Sequence, residues 1–309
     1  MPKVHIDTDL GGDIDDLCAL AMLLRWKDVE ITGITTVAEA NGRRAGYVRH
    51  VIDLENRNNI PVASGAEVSQ GYYRYPEFGY PDEARYWPQK IIPRPNPLED
   101  ALHLLKQSIE QNAIIIAIGP FTNLYLLDLK YPGILQQANL FLMGGYVYPI
   151  RAGFPGWGND MDWNIQVDVH SAKHVIENSN PMLIPLTVTV ETALRRAYLE
   201  DLRKAGAFGQ LIAQQAEAFA IDEQNETRFG QTCDGLPDDT INFLHDPLAC
   251  AVALGYRDGI EIEEIPLLLD EKDGFLQEHI DHSGRKIRVV TKVDGPRFNR
   301  FWLGTFMKR

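Results

Sequence analysis

Val4-His5-Ile6-Asp7-Thr8-Asp9-Leu10-Gly11-Gly12-Asp13-Ile14-Asp15-Asp16 is the stretch that decides how this chain is read. A short apolar run leads into five carboxylates within ten residues, and Leu17 to Leu24 then forms an apolar stretch long enough for a buried helix. The pattern predicts a strand ending at Asp7 or Asp9, a glycine turn, and a helix starting near Asp15. Like charges this crowded repel, so unless water separates them a cation must neutralise them. Ca²⁺ takes six to eight oxygen ligands and Mg²⁺ six. A solvated acidic loop capping a helix is the plain alternative, because carboxylates suit a helix N-terminus. Open α/β sheets build their ligand sites beyond the C-terminal ends of strands, which favours metal or substrate chemistry here.

Working outward, Val29 to Val37 alternates apolar and polar residues and is β-branched, as a second strand would be. Ala45 to Leu54 reads as a helix and Ile60 to Gly65 as a short third strand. Leu98 to Gln111 reads as a helix, and Ala113 to Ile118 as a strand buried on both faces. Asn139 to Met143 and Met182 to Val190 supply further strands. Helical stretches follow at 197–205, 209–226 and 248–254, then strand-like runs at 260–269 and 286–292 and a last helix at 296–307. This β-α-β rhythm implies an α/β fold: an open, mostly parallel, Rossmann-like sheet flanked by helices, with its site at the C-terminal edge of the strands. No repeat or linker divides residues 1–309, so one domain is expected. Residues 69–97 break the rhythm with Tyr72, Tyr73, Tyr75, Phe78, Tyr80, Tyr86, Trp87 and six prolines. Such a loop is either a lid over a flat ligand or a segment packed on its own aromatics.

The chain has 309 residues, 45% of them hydrophobic, which is enough for a large core. A net charge of −13 and a pI near 5.1 argue against a nucleic-acid partner, since phosphate binding needs basic surface. Cys18, Cys233 and Cys250 show no paired spacing, so a reducing compartment, the cytoplasm, is expected. Cys18 and Cys250 lie in apolar runs and are expected to pack. Strand-forming residues follow Met1 directly, so no signal peptide is expected. No run reaches transmembrane length, so no membrane association is expected either.

Polar groups recur where the predicted strands end: the aspartates after the first, Glu39 or Asn41 after the second, and Thr122 and Asn123 after the fourth. Asp162 and Asn164 follow a glycine-rich loop, and His245 with Asp246 precedes a late helix. A parallel sheet gathers such turns on one edge. At this point Asp7-Thr8-Asp9-Leu10-Gly11-Gly12-Asp13-Ile14-Asp15-Asp16 resembles the N-terminal aspartate motif of the inosine-uridine-preferring nucleoside hydrolases. Thr35-Thr36-Val37, Gly119-Pro120-Phe121-Thr122-Asn123, Leu142-Met143-Gly144-Gly145, Asp162-Trp163-Asn164 with Asp168, and His245-Asp246-Pro247 resemble that family in the same order. The resemblance spans nearly the whole chain.

It implies Ca²⁺-dependent hydrolysis of the N-glycosidic bond of ribonucleosides to free base and ribose. Asp9, Asp16, Asp246 and the Ile118 carbonyl would be metal ligands, with the ribose diol completing an all-oxygen shell. Loss of the base leaves an oxocarbenium-like ribosyl cation, which nearby carboxylates stabilise. Asp9 would be the general base activating a metal-bound water. Asp15 would hold the 2′-hydroxyl, Asn164 and Asp162 the 3′- and 5′-hydroxyls, and Asn41 would also reach the substrate. His245 would protonate a leaving purine, or else be a packed helix-capping histidine. Trp87, Trp157, Trp163 and the loop tyrosines are candidates to stack on the base. Similar proteins form homodimers or homotetramers, which implies a homo-oligomer.

The chain departs from the family pattern in three places. Asp13-Ile14 intervenes after the glycines, so the aspartate pair aligns on Asp15-Asp16 and Asp13 has no assigned role. Asp162 stands where the family usually has Glu, one carbon longer. Asn41 sits one or two positions late, with Glu39 the alternative. Two other readings remain. Asp7-Thr8-Asp9 mimics the Asp-x-Asp nucleophile of haloacid-dehalogenase-type phosphatases, but Leu10-Gly11 follows instead of the expected Thr or Val. A non-catalytic member that binds a ribosyl ligand without turnover is the other.

Overall fold

The computed structural model describes residues 1–67 and 83–307. Tyr72, Tyr73, Tyr75, Phe78 and Tyr80 therefore lie outside the described residues. The first half runs β1 (Lys3–Thr8), α1 (Asp15–Arg25), β2 (Glu30–Thr36), α2 (Arg43–Leu54), β3 (Val62–Ser64), α3 (Leu98–Glu110), β4 (Ile114–Ala117), α4 (Thr122–Lys130) and β5 (Asn139–Met143). Next come α5 (Trp163–Gln166), α6 (Val169–Asn178), β6 (Met182–Ile184), α7 (Leu186–Thr189), β7 (Leu194–Arg195), α8 (Leu199–Lys204), α9 (Ala207–Glu223) and β8 (Thr240–Asn242). The chain closes with α10 (His245–Ala253), β9 (Glu261–Lys272), β10 (Phe275–Ile280), β11 (Arg285–Lys292) and α11 (Gly295–Met307).

Nine strands form one sheet in the order β10-β9-β11-β6-β5-β4-β1-β2-β3. From β3 to β11 every neighbouring pair is parallel; β9 and β10 extend the edge antiparallel. The order β3-β2-β1-β4-β5-β6 is that of a doubly wound sheet, whose connections change side between β1 and β4. A crevice opens there, beyond the C-terminal ends of both strands.

The strands explain why β4 reads as an unbroken apolar run. Ile116 and Ile118 pack on one face of the sheet with Val4 and Ile6 of β1, against α1, α9 and α10. Ile115 and Ala117 pack on the other with Leu105, Leu124 and Val175 of α3, α4 and α6. Cys18 and Cys250 are fully buried in the first of these cores, as packing residues would be. Among the described residues no helix is long and apolar enough to cross a membrane.

Several elements differ from the sequence reading, which has no counterpart to α6, β7 or β8. The expected strand 182–190 stops at Ile184 and becomes α7, because Pro185 has no N–H for the ladder and leads into a helical turn. A strand that the reading missed, β10, pairs Phe275 with Lys272 across the two-residue turn Asp273-Gly274, at φ 54° and 78°. Such a turn needs two left-handed residues, which Asp-Gly supplies.

Candidate active site

The crevice between β1 and β4 is a cleft of about 720 Å³, and Asp9, Asp13, Asp15, Asp16, Ile118, Asp162, Asn164, His245 and Asp246 all line it. Helices place the acidic groups. Asp15 and Asp16 form the first turn of α1, and Asp246 lies in the first turn of α10. Both N-termini open onto the cleft, so their positive dipole ends face the carboxylates. Ligand oxygens of Asp15, Asp16 and Asp246 all lie within 4.8 Å of one another, and all three residues are buried. The Asp246 N–H donates to Asp15 Oδ2 at 3.4 Å, and the Thr8 hydroxyl donates to Asp16 Oδ1. Burial first, and then the charge of neighbouring carboxylates (Asp13 and Asp16 on Asp15, Asp9 on Asp16, Asp15 and Asp16 on Asp246), hold these three carboxyls well above the usual carboxylate range. Three hard oxygen donors with raised proton affinity, crowded on two helix ends, fit a divalent cation.

Asp9 lines the same cleft outside that trio. Its Oδ2 accepts from the Trp163 indole N–H at 3.1 Å. Burial raises its pKa, while the Arg44 guanidinium and the Trp163 hydrogen bond pull it down. The Ile118 carbonyl accepts from Asn164 Nδ2 at 3.1 Å, and the same amide reaches the Met143 carbonyl at 3.1 Å. A carbonyl has two lone pairs, so Ile118 can still face a cation. Asp162 caps α5: Ile165 N–H donates to its Oδ1 at 3.2 Å and Gly145 N–H to its Oδ2. Burial raises its pKa to about 6. His245 forms part of the wall, with Nδ1 2.7 Å from the Thr189 hydroxyl and its ring stacked on Phe243 at 5.3 Å. Burial pushes its pKa down to about 3.

Some expectations change. Asn41 is exposed at a turn, its N–H donates to Glu67, and it does not line the cleft. Glu39 does not line it either: this buried carboxylate accepts from Thr36 at 2.7 Å and from the Ala45 N–H at 2.7 Å, tying down the start of α2. The side chain that α2 sends into the cleft is Arg44, whose Nε donates to the Ala38 carbonyl at 2.9 Å. Nothing in the local sequence separates Arg44 from its half-buried neighbour Arg43 without the tertiary context. Asp13, without a role in the sequence reading, accepts from Asn242 Nδ2 at 2.7 Å and from the Asp15 N–H at 3.3 Å. It therefore steadies the entry to α1 from the far end of the chain.

Asn123 and Thr122 are structural. Asn123 Nδ2 donates to Asp7 at 2.8 Å and to the Thr36 carbonyl at 2.9 Å, while the Thr122 hydroxyl donates to Asp168 at 2.6 Å. Asp7 is fully buried beneath Asn123 and Thr35, so it cannot serve as a phosphatase nucleophile. Trp87 stacks on Tyr47 at 4.3 Å and 11° and is not part of the cleft wall, whereas Trp157, Trp163 and Phe219 are.

Known proteins resemble the chain over most of its length. A pyrimidine-specific ribonucleoside hydrolase of Citrobacter koseri is 26% identical over 260 residues, covering 81% of this chain and 78% of that protein. A non-specific ribonucleoside hydrolase of Salmonella agona is 27% identical over 223 residues, covering 68% and 70%. Among solved structures, a purine-preferring ribonucleoside hydrolase from Gardnerella vaginalis superposes with a TM-score of 0.79 at 21% identity, over 98% of both chains. The inosine-uridine preferring nucleoside hydrolase from Bacillus anthracis gives 0.71 at 22% identity, over 99% of both chains. The inosine-uridine preferring nucleoside hydrolase family model matches residues 4–300. The aspartates at the β1–β4 crevice thus sit on the fold their motif implied, and the chain belongs to the inosine-uridine-preferring nucleoside hydrolases, which are N-glycosyl hydrolases.

Proposed function

We propose that this enzyme splits the N-glycosidic bond of ribonucleosides to free base and ribose using one Ca²⁺. Asp16 and Asp246 would hold the ion with the Ile118 carbonyl and Asp9, and Asp15 would stand beside it to take the 2′-hydroxyl. The observation that carries this reading is the buried convergence of Asp15, Asp16 and Asp246 next to Asp9. When bound, the cation would grip the ribose diol and make a water more acidic.

The chain's own residues then divide the work. Asp9 is the general base that takes the proton of the attacking water. Asp15 and its acidic neighbours stabilise the positive charge that grows on the ribose ring as the base departs. Asn164, its Nδ2 pinned on two carbonyls, presents Oδ1 to a ribose hydroxyl, and Asp162 lies beside it. Burial keeps His245 uncharged near neutrality, so it acts through its neutral ring: in the tautomer whose Nδ1 accepts from the Thr189 hydroxyl, Nε2–H is left to hydrogen-bond the leaving base. Trp157 and Phe219 offer apolar and stacking surface, which tolerates different bases. The relatives named above differ in base preference, so the preference of this chain is a matter for assay.

The test is a panel of purine and pyrimidine nucleosides assayed for free ribose, with and without exhaustive chelation, on the wild type and Asp9→Ala. Ribose release that is lost on chelation, restored by Ca²⁺ and absent in D9A supports the reading. Full activity after chelation would contradict the metal role. A nucleoside that raises the melting temperature yet is never cleaved would point instead to a ribosyl-binding protein without turnover.

A further inference from the structure

Trp163 is 41% exposed at the cleft. An exposed aromatic there invites reading as a stacking platform for the base. Its surroundings say more. The residue before it, Asp162, caps α5 through Ile165 N–H, and the residue after it, Asn164, is fastened to the carbonyls of Ile118 and Met143. The backbone of Trp163 is thus held on both sides by side chains that reach β4 and β5. From that fixed point its indole N–H donates to Asp9 Oδ2 at 3.1 Å, across 154 positions of sequence. The other oxygen of Asp9 faces Gly119: a Cβ built there would lie 2.9 Å from Oδ1. A carboxylate with one oxygen tied and the other against a backbone turn has little freedom to rotate.

We propose that Trp163 is a positioning residue for Asp9, using its indole N–H to fix which carboxylate oxygen faces the attacking water. A phenyl ring could stack on a base equally well but could not do this. The proposal rests on the reading of Asp9 as the base. A stacking role and a positioning role part company in kinetics, because substrate binding appears in KM and transition-state geometry in kcat.

The experiment compares wild type, Trp163→Phe, Trp163→His, Asp9→Asn and the double variant D9N/W163F, on the nucleoside cleaved best. W163F is expected to lower kcat by about 10- to 100-fold, the usual effect of losing a group that orients a catalytic carboxylate. KM should stay within about threefold. W163H, which keeps a ring N–H, should recover part of the loss. In the D9N background W163F should cost nothing further, because the two act through one contact. The indole ¹H–¹⁵N resonance assigned by its absence in W163F should move in D9N, independently of turnover.

A loss confined to KM, equal factors in both backgrounds, or an unmoved indole resonance would each overturn the proposal. An inactive D9N beside a fully active W163F removes this inference and leaves the base assignment standing. A fully active D9N removes the base assignment itself. Melting temperatures of each variant separate these results from loss of folding.

Discussion

The backbone N–H of Asp246 points at Oδ2 of Asp15 from 3.4 Å, although the two residues are 231 positions apart. The first turn of α10 thus meets the first turn of α1, each carrying a buried carboxylate into the same few ångströms. The helix dipoles ease this crowding without cancelling it, so the cluster stores repulsion that a cation would relieve.

That repulsion predicts a signature in stability. In chelator, Asp246→Asn should melt higher than wild type, because one of three repelling buried carboxylates is gone. With Ca²⁺ the order should reverse: wild type gains about 2.7 kcal/mol at a hundredfold excess over Kd, and the variant gains almost nothing. Thermal melts with and without Ca²⁺ check this, and an equal Ca²⁺ shift in both proteins would exclude Asp246 as a ligand.

His245 should matter in proportion to how much help the leaving group needs. His245→Ala is expected to lower kcat on purine nucleosides by about 10²-fold, within the usual range for a lost acid–base group. A riboside with an activated phenolate leaving group, which departs unaided, should be cleaved nearly as fast as by wild type. Equal losses on both substrates would make His245 a packing residue on Phe243 and Thr189.

Glu278 of β10 gives a pH prediction. Burial, and then the charge of nearby Asp162, raise its pKa from 4.5 to about 8. The folded protein keeps that proton while the unfolded chain releases it near pH 4.5. The associated stability is therefore complete below about pH 4.5 and falls away as pH rises to about 8. Glu278→Gln should flatten this slope and raise stability at pH 8, as read from denaturant melts across that range. An unchanged slope would mean that Glu278 ionises normally.

The β9–β10 turn also bears on the cleft. Gln166, which lines the cleft, exchanges two hydrogen bonds with the backbone of Leu276, at 2.9 and 3.0 Å, and Asn159 adds a third at 3.0 Å. Gly274→Ala forces a side chain onto φ 78°, a conformation that costs an L-residue about 1–2 kcal/mol. The variant should be less stable by about that amount and should bind nucleoside more weakly. A variant with wild-type KM would show that β10 does not support the cleft wall.

Much of the sheet was legible in advance because its signals are local. Apolar periodicity marks β1, β2, β4 and β5, and acidic residues preceding an apolar run mark the start of α1. The sixth strand is shorter than its β-branched pattern implies, because Pro185 ends the ladder although β-branched residues continue to Val190. The hairpin at Asp273-Gly274 carried a clear turn signal, but Phe275 to Ile280 is too mixed in polarity to read as a strand alone. Asn41 lies outside the cleft wall because one or two positions in a turn decide whether a side chain faces a crevice or solvent.

The sequence by itself determined the family, the α/β alternation and the identity of the acidic residues, because spacing within a motif and period along a strand are properties of the chain. Only the tertiary structure decided that Asp15 joins Asp16 and Asp246, that Arg44 enters the cleft in place of Asn41, that Asn242 holds Asp13, and that the Trp163 indole N–H meets Asp9. Those pairings join residues far apart in the chain, and their geometry is set by how helices pack on the sheet, which no local pattern encodes.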